Sequence, residues 1–384
     1  MIRRKLEKVL KKAAGNNQVL SVMGPRQSGK TTLVKMVFPD YSYINLEDPS
    51  LRRFASEDPV SFIKNFGNRI IIDETQYVPS LFSYIQLSVD QDRQQRFILT
   101  GSQNFHLHGK ISQSLAGRVA MFSLLPFSVE EMKGSAFEHK EYESYLVKGF
   151  YPRIYDRKLN ALKWLNDYVL NYIERDVRQL QNIGDLNKFG QFLKLCAGSA
   201  GQLVNFSSFG NEMGISYHTA QSWLSVLEAS FIVFRLYPYH NNFKKRMIKT
   251  PKLYFYDTGL ASSLLGIKSA AELQLHFAKG SLFENMIIAD ILKNSLNRGL
   301  KPDVYFWRDS TGNEVDLILD DPGGPVAVEI KSGRTIDPGF FKNLNYWRSL
   351  HSGRESKEIL VYGGDLSQTR SNTKVLSWDK LTRI

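Results

Sequence analysis

A single cysteine, Cys196, stands in 384 residues, which excludes disulfides and cysteine-based zinc sites within the chain. The seven histidines are scattered and include no His-Glu-x-x-His pair. No apolar run approaches the roughly 18 residues that a membrane span needs. The opening MIRRKLEKVLKKAAG is charged but lacks the continuous apolar core of a signal peptide. Internal repeats and low-complexity tracts are also missing. These absences suit a reduced, cytoplasmic protein with no membrane partner. What remains is 42% hydrophobic and 23% charged, the mix of an ordinary globular chain. At about 150 residues per domain, the length suggests two or three domains.

The net charge of +12 is unevenly placed. Residues 1–133 and 134–270 each carry an excess of six basic groups, and 271–384 carry none. Two runs hold most of it, Arg3 to Lys12 and Lys244 to Lys252. Such runs contact phosphate backbones or cover a solvated face. Within the second, Lys244, Lys245 and Arg246 are the candidate DNA contacts.

The first 130 residues alternate β-branched runs with helical stretches, as in a parallel α/β sheet. Strands are predicted at 19–23, 41–46, 69–73, 96–100 and 119–124, with helices at 31–38, 58–66 and 79–90. From about 134 the pattern turns helical, with helices predicted at 164–180 and 187–197. A helix-turn-helix pattern then runs through FSSFGNEMG, GIS and YHTAQSWLSVLEAS into the strand FIVFRLYPY. Gly214 suits its turn and Ser216 the N-cap of its second helix, a winged-helix signature. That second helix has no Lys or Arg, so it reads as a packing element with Trp223, Leu224 and Leu227 in the core. The last third orders as α-β-β-β-α-β, from a helix at 281–297 to a strand at 358–362.

Gly24-Pro25-Arg26-Gln27-Ser28-Gly29-Lys30-Thr31 matches G-x-x-x-x-G-K-[ST] between a strand and a helix, the context that the motif requires. The backbone from Gly24 to Thr32 would cradle phosphates at a helix N-terminus. Lys30 would reach the β- and γ-phosphates of ATP, and the Thr31 hydroxyl would hold magnesium. The apolar strand ending in Asp73-Glu74 places two acids at the ligand edge of the sheet. Asp73 suits the magnesium shell and Glu74 the base that orients water. Ser102, in Thr100-Gly-Ser102-Gln103-Asn104, either senses phosphate or forms a polar turn. Arg118 would stabilise transition-state charge in cis or across a subunit, or pair with a surface acid.

Together these segments resemble AAA-type ATPases. GFYPRIYD (Gly149–Asp156), YIERDV (Tyr172–Val177), KTPKLYFYDTGLAS (Lys249–Ser262) and GSLFEN (Gly280–Asn285) extend the likeness to a prokaryotic family of predicted ATPases. The resemblance implies an AAA-type domain joined to a C-terminal domain of unknown function with a restriction-endonuclease-like fold.

Glu314-Val-Asp316-Leu-Ile-Leu319 and Val326-Ala-Val-Glu329-Ile-Lys331 flank a strong turn signal. Pairing Leu319 with Val326 sets Asp316 opposite Glu329 and Glu314 opposite Lys331, all four on one face. Val315, Leu317, Val328 and Ile330 then face the core. Paired acids with a neighbouring lysine suit a magnesium-bound phosphodiester site and resemble the PD-(D/E)xK nuclease pattern, with Glu284 as a third acid. A plain cross-strand ion pair would show the same alternation.

The expected architecture is therefore an AAA-type P-loop domain over 1–133, a helical and winged-helix connector over 134–270, and a nuclease-like α/β domain over 271–384. The expected function is a magnesium-dependent ATPase that couples nucleotide state to double-stranded or branched DNA. Two alternatives stand beside it, an ATP-regulated nuclease and a nucleotide switch with a silent nuclease fold. A homo-oligomer is compatible with either role of Arg118.

Overall fold

The computed structural model describes residues 2–102, 115, 117–173, 185–239, 249–350 and 357–383. Strands β1 (Val19–Met23), β2 (Ser42–Asn45), β3 (Arg69–Asp73), β4 (Arg96–Gly101) and β5 (Val119–Ser123) form a parallel sheet in the order β2-β3-β4-β1-β5. β1 is buried along its whole length, as its unbroken apolar run requires in a sheet covered on both faces. The covering helices are α1 (Leu6–Asn16), α2 (Lys30–Val37), α3 (Pro49–Glu57), α4 (Pro59–Asn65) and α5 (Leu81–Gln91). Leu6, Leu10, Leu33 and Val34 pack on Leu20, Val22, Ile71 and Ile98. Phe62, Phe82 and Ile85 pack on the opposite face with Ile70, Ile72, Phe97 and Leu99. Helix α3 lies outside the sequence expectation. Asp48 starts it by accepting from the Ser50 and Leu51 amides, with Pro49 in the first turn.

The middle of the chain carries α6 (Val129–Met132), α7 (Tyr142–Lys148), α8 (Pro152–Asp156), α9 (Ala161–Tyr168) and α10 (Leu186–Gly198). The helix predicted over 164–180 changes at Val169 into a wider turn that runs to Ile173. The rest of that segment lies outside the described residues. α11 (Phe206–Met213) and α12 (Tyr217–Ala229) meet at Gly214, whose φ of 60° is left-handed. Ser216 Oγ accepts from the Thr219 amide at 3.0 Å and caps α12. Strands β6 (Val233–Leu236) and β7 (Lys252–Phe255) pair antiparallel behind it, followed by α13 (Thr258–Leu264) and α14 (Ala270–Leu275).

The last third begins with α15 (Lys279–Asn297) and adds β8 (Val304–Arg308), β9 (Glu314–Asp321), β10 (Gly324–Lys331), α16 (Lys342–Leu350) and β11 (Lys357–Tyr362). β12 (Gln368–Arg370) and β13 (Thr373–Ser377) extend the expected order and complete a mixed sheet, β12-β13-β11-β10-β9-β8. One hydrophobic core runs through all three parts. Tyr142 and Tyr145 of α7 meet Trp378 near the C-terminus, and Tyr142 also lies 4.6 Å from Phe283 of α15, ring centre to ring centre. Among the described residues, no helix is long and apolar enough to cross a membrane.

Candidate nucleotide site and a second acid cluster

The loop between β1 and α2 curls because Gln27 (φ 64°) and Gly29 (φ 93°) both take left-handed backbone conformations. Such a run turns successive amides toward one concavity and makes an anion nest. Gly24 serves a different need: a Cβ there would lie 2.1 Å from the Leu124 carbonyl oxygen. Lys30 is buried and its Nζ donates to the carbonyls of Gly24 and Pro25, both at 2.9 Å. A cavity of about 540 Å³ opens over the loop and is lined by Arg26 to Thr32 and by Asp73 and Glu74. Gly24 and Pro25 do not line it.

Asp73 ends β3 beside the start of α2, because β4 spaces β3 one strand from β1. Its carboxylate accepts from Thr31 Oγ1 at 2.7 Å, from the Tyr43 hydroxyl at 2.8 Å and from the Thr100 hydroxyl. Burial, then the Asp73 charge, pushes the Tyr43 phenol well above its ordinary range. Glu74 follows in a left-handed conformation (φ 56°), unusual for a residue with a side chain. Its carboxylate is held by Gln76 and by Ser102 Oγ at 3.2 Å. Thr31 and Asp73 offer hard oxygen donors, as magnesium prefers, and such an ion takes its other ligands from phosphate and water. Among the described residues, no group of three or more His, Cys, Asp or Glu side chains is placed to hold a metal.

Sequence reasoning missed more than half of the cavity wall. Phe137, Pro152, Arg153, Tyr155, Asp156 and Arg157 line it from outside the P-loop segment. The GFYPRIYD motif thus lies over the phosphate loop, with Arg153 Nη1 donating to Gln27 Oε1 at 3.2 Å. Arg4 was also missed, lost within a basic run that reads as a solvated helix face. It is buried, and donates to Ser28 O at 2.8 Å, Leu125 O at 2.7 Å and Glu131 Oε1 at 2.9 Å. One arginine of a basic run preceding an amphipathic helix carries no signal of such a role.

Of the readings that the sequence left open for Arg118, the structure shows the pairing with a surface acid. The arginine does not line the cavity and instead forms a two-pronged pair with Asp90 of α5, at 2.6 and 3.0 Å. Its position after a tight turn at the start of β5 aims it at the surface of α5. Gln103, Asn104, Lys244, Lys245 and Arg246 lie outside the described residues.

The β9–β10 hairpin pairs in the expected register, with Val326 opposite Leu319 and Val328 opposite Leu317. The predicted single face is corrected by a β-bulge. β9 gains one residue against β8 between Val315 and Ile318. Val315 therefore packs with Trp307, Ile318 and Ala327, on the sheet face opposite Leu317, Val328 and Ile330. Glu314 is turned away from Lys331 and pairs with Arg308 at 3.2 Å and with Lys252 of β7. Asp316 accepts from the Ile330 amide at 2.8 Å, and Lys331 bridges Asp316 and Glu329. Glu284 of α15 takes Lys252 at 3.2 Å and the Tyr254 hydroxyl. Burial and Asp316 raise the Glu329 carboxyl above its ordinary range, and burial above all raises Glu284. Lys252, the last member of the second basic run, is only 3% exposed and faces acids rather than solvent.

Residues 16–133 match the family model described as AAA domain. Residues 139–271 and 279–381 match two domains of unknown function, DUF8612 and DUF4143. An uncharacterized protein of Mycobacterium tuberculosis is 29% identical over 372 residues, covering 95% of this chain and 81% of its own. One of Haemophilus influenzae is 24% identical over 388 residues, covering 91% and 90%. A Walker-type ATPase of Pyrococcus abyssi overlays 69% of this chain and 96% of its own, with 15% identity and a TM-score of 0.48. The N-terminal third of the chain is thus similar to AAA domains.

Proposed function

We propose that this chain is a magnesium-dependent ATPase whose nucleotide pocket is shared between the AAA-type segment and the residues from Phe137 to Arg157. The observation that carries this reading is the hydrogen bond between Thr31 and Asp73 beneath the phosphate loop, with Glu74 held beyond it by Ser102 and Gln76. Lys30 would leave the loop carbonyls for the terminal phosphates, where its ammonium neutralises charge that backbone amides cannot. Glu74 would orient the attacking water and take its proton, Ser102 acting as the group that positions it. Magnesium, when bound through Thr31 and Asp73, would supply charge neutralisation on the phosphate oxygens. Lys30→Ala should abolish nucleotide binding. Glu74→Gln should keep ATP bound and lose turnover. Both are measured by fluorescent-nucleotide titration beside phosphate release. Wild-type protein that binds ATP with no magnesium-dependent phosphate release would sink the hydrolysis claim and leave a switch.

A second reading, action on DNA, is favoured by the convergence of Glu284, Asp316, Glu329 and Lys331 from separate elements on one end of the C-terminal sheet. Asp316 and Glu329 would be the hard ligands of a divalent ion and Lys331 the group that orients water against a phosphodiester. Lys244, Lys245 and Arg246 supply the cationic run for a nucleic-acid backbone. Their joint change to Glu should weaken DNA binding and flatten its salt dependence, since fewer counterions are released. Affinity unchanged across a salt series would remove them from the interface.

A further inference from the structure

Four arginines among the described residues line the nucleotide cavity, and they are placed differently. Arg4 commits its guanidinium to Ser28 O, Leu125 O and Glu131. Arg153 and Arg157 are exposed on the far wall. Arg26 belongs to the phosphate loop itself and is 8% exposed, with Nη1 lying 3.3 Å from Glu47 Oε1. The topology says where that guanidinium lies. Glu47 follows β2, whose Asn45 is in register with Asp73 of β3, and the Leu46 amide donates to Asp73 O at 3.1 Å. In the sheet, β4 and β3 stand between β1 and β2. A side chain that leaves the loop after β1 and meets a residue after β2 therefore crosses the carboxyl edge where Asp73 and Glu74 stand. Both partners of the bridge are held at the backbone. Tyr168 of α9 donates to Arg26 O at 3.2 Å, and Arg52 donates to Leu46 O and Glu47 O at 3.0 and 3.1 Å. The Glu47 carboxylate is 42% exposed, so water takes over its solvation readily once the guanidinium leaves.

We propose that Arg26 is a catalytic residue supplied from within the phosphate loop: its guanidinium exchanges Glu47 for the terminal phosphate of ATP and neutralises the charge that builds there in the transition state. The inference rests on the ATPase reading above. In that reaction the water oxygen bonds to the γ-phosphorus while the bond from phosphorus to the β–γ bridging oxygen breaks. The water proton passes to Glu74, and ADP leaves with the electron pair of the broken bond. Arg26 moves no proton. It stays charged and offers N–H donors in a fixed fork that matches phosphoryl oxygens, as it matches the Glu47 carboxylate before nucleotide binds. Glu47 thus keeps the fork in the pocket, on the side of Asp73 and Glu74, at the moment when phosphate arrives.

The test uses the full chain with magnesium and reads three quantities: ADP affinity, trapping of ADP by aluminium fluoride, and phosphate release. Aluminium fluoride imitates the phosphoryl group in flight, so trapping reports transition-state contacts apart from ground-state binding. Arg26→Met keeps the apolar stem and removes the fork. It should bind ADP within about threefold of wild type, fail to trap it, and lose turnover by at least about a hundredfold. Arg26→Lys restores the charge without the fork and should recover only part of the trapping. The Lys variant also carries the test if the Met variant does not fold. Glu47→Gln releases the guanidinium and should tighten ATP more than ADP. An Arg26→Met protein that traps ADP and turns over as wild type would overturn the proposal. Arg26 variants that lose ADP as severely as the trapped complex would overturn it too, since Arg26 would then serve the ground state or the loop fold. Wild type that binds ATP but neither traps ADP nor releases phosphate would remove the ATPase reading itself, which no Arg26 variant can do.

Discussion

Asp73 shows how much work one carboxylate does in this fold. Three hydroxyls, from Thr31, Tyr43 and Thr100, and the Glu74 amide converge on it. A buried anion is tolerated only when hydrogen-bonded in this way. Asp290 of α15 is a second case, held by the Val129 amide at 2.6 Å and by Asn294 at 2.9 Å, with Lys293 and Glu131 as its charged surroundings. Burial pushes its carboxyl up to about 6, against the pull of Lys293. An acid held above its unfolded value of about 3.9 keeps its proton preferentially in the folded state. Its contribution to stability is complete below about pH 4 and is lost as the pH rises through about 6. Asp290→Asn should flatten that part of the profile, read from urea midpoints between about pH 4 and 7. An unchanged slope in the variant would assign the dependence to another group.

Among the elements, the β9 bulge has the widest consequence. One extra residue turns Glu314 toward β7 and leaves Asp316 beside Lys331, so a single hairpin serves three cations, Lys252, Arg308 and Lys331. The junction of α7 and α8 is as tightly specified. Gly149 takes φ 69°, and a Cβ there would lie 2.2 Å from Asp257 Oδ1, whose carboxylate accepts from the Phe150 and Leu260 amides. Gly149→Ala should cost about 2–4 kcal/mol through overpacking and backbone strain. Equilibrium unfolding in urea measures it, and a loss within about 0.5 kcal/mol would mean that Asp257 moves aside freely.

Across the whole molecule, the strap from Leu125 to Glu131 ties the phosphate loop to α15. Arg4 grips the strap at Leu125 O and Glu131 and the loop at Ser28 O. From the other side, Asp290 takes the Val129 amide and Lys293 donates to Phe127 O at 3.2 Å. Arg4→Met should destabilise the chain by about 3 kcal/mol, because it leaves the buried Glu131 without its cation. It should also weaken nucleotide binding through the freed Ser28 carbonyl. Stability and nucleotide titrations on one preparation test both, and a variant that loses neither would make the strap a passive linker.

The candidate nucleotide site was legible where chemistry and chain order coincide. A phosphate loop carries its residues in one stretch, and an apolar strand ending in Asp73-Glu74 announces its own edge; the five parallel strands follow from the same local pattern. The register of the β9–β10 hairpin was legible for the same reason, since turn and alternation are neighbours in sequence. Arg4, Phe137, Arg153 and Tyr155 were not, because each acts on a partner more than a hundred residues away or on a cavity that exists only once the parts are packed. Lys252 is the sharpest instance. Composition groups it with a solvated basic run, and a basic residue at the head of an apolar strand says nothing about what will stand opposite. By itself the sequence determined the phosphate-loop motif and the alternation of elements, which depend on residues a few positions apart. Only the tertiary structure decided which charges are buried together, because burial and distance, not order along the chain, set the energy of an ion pair.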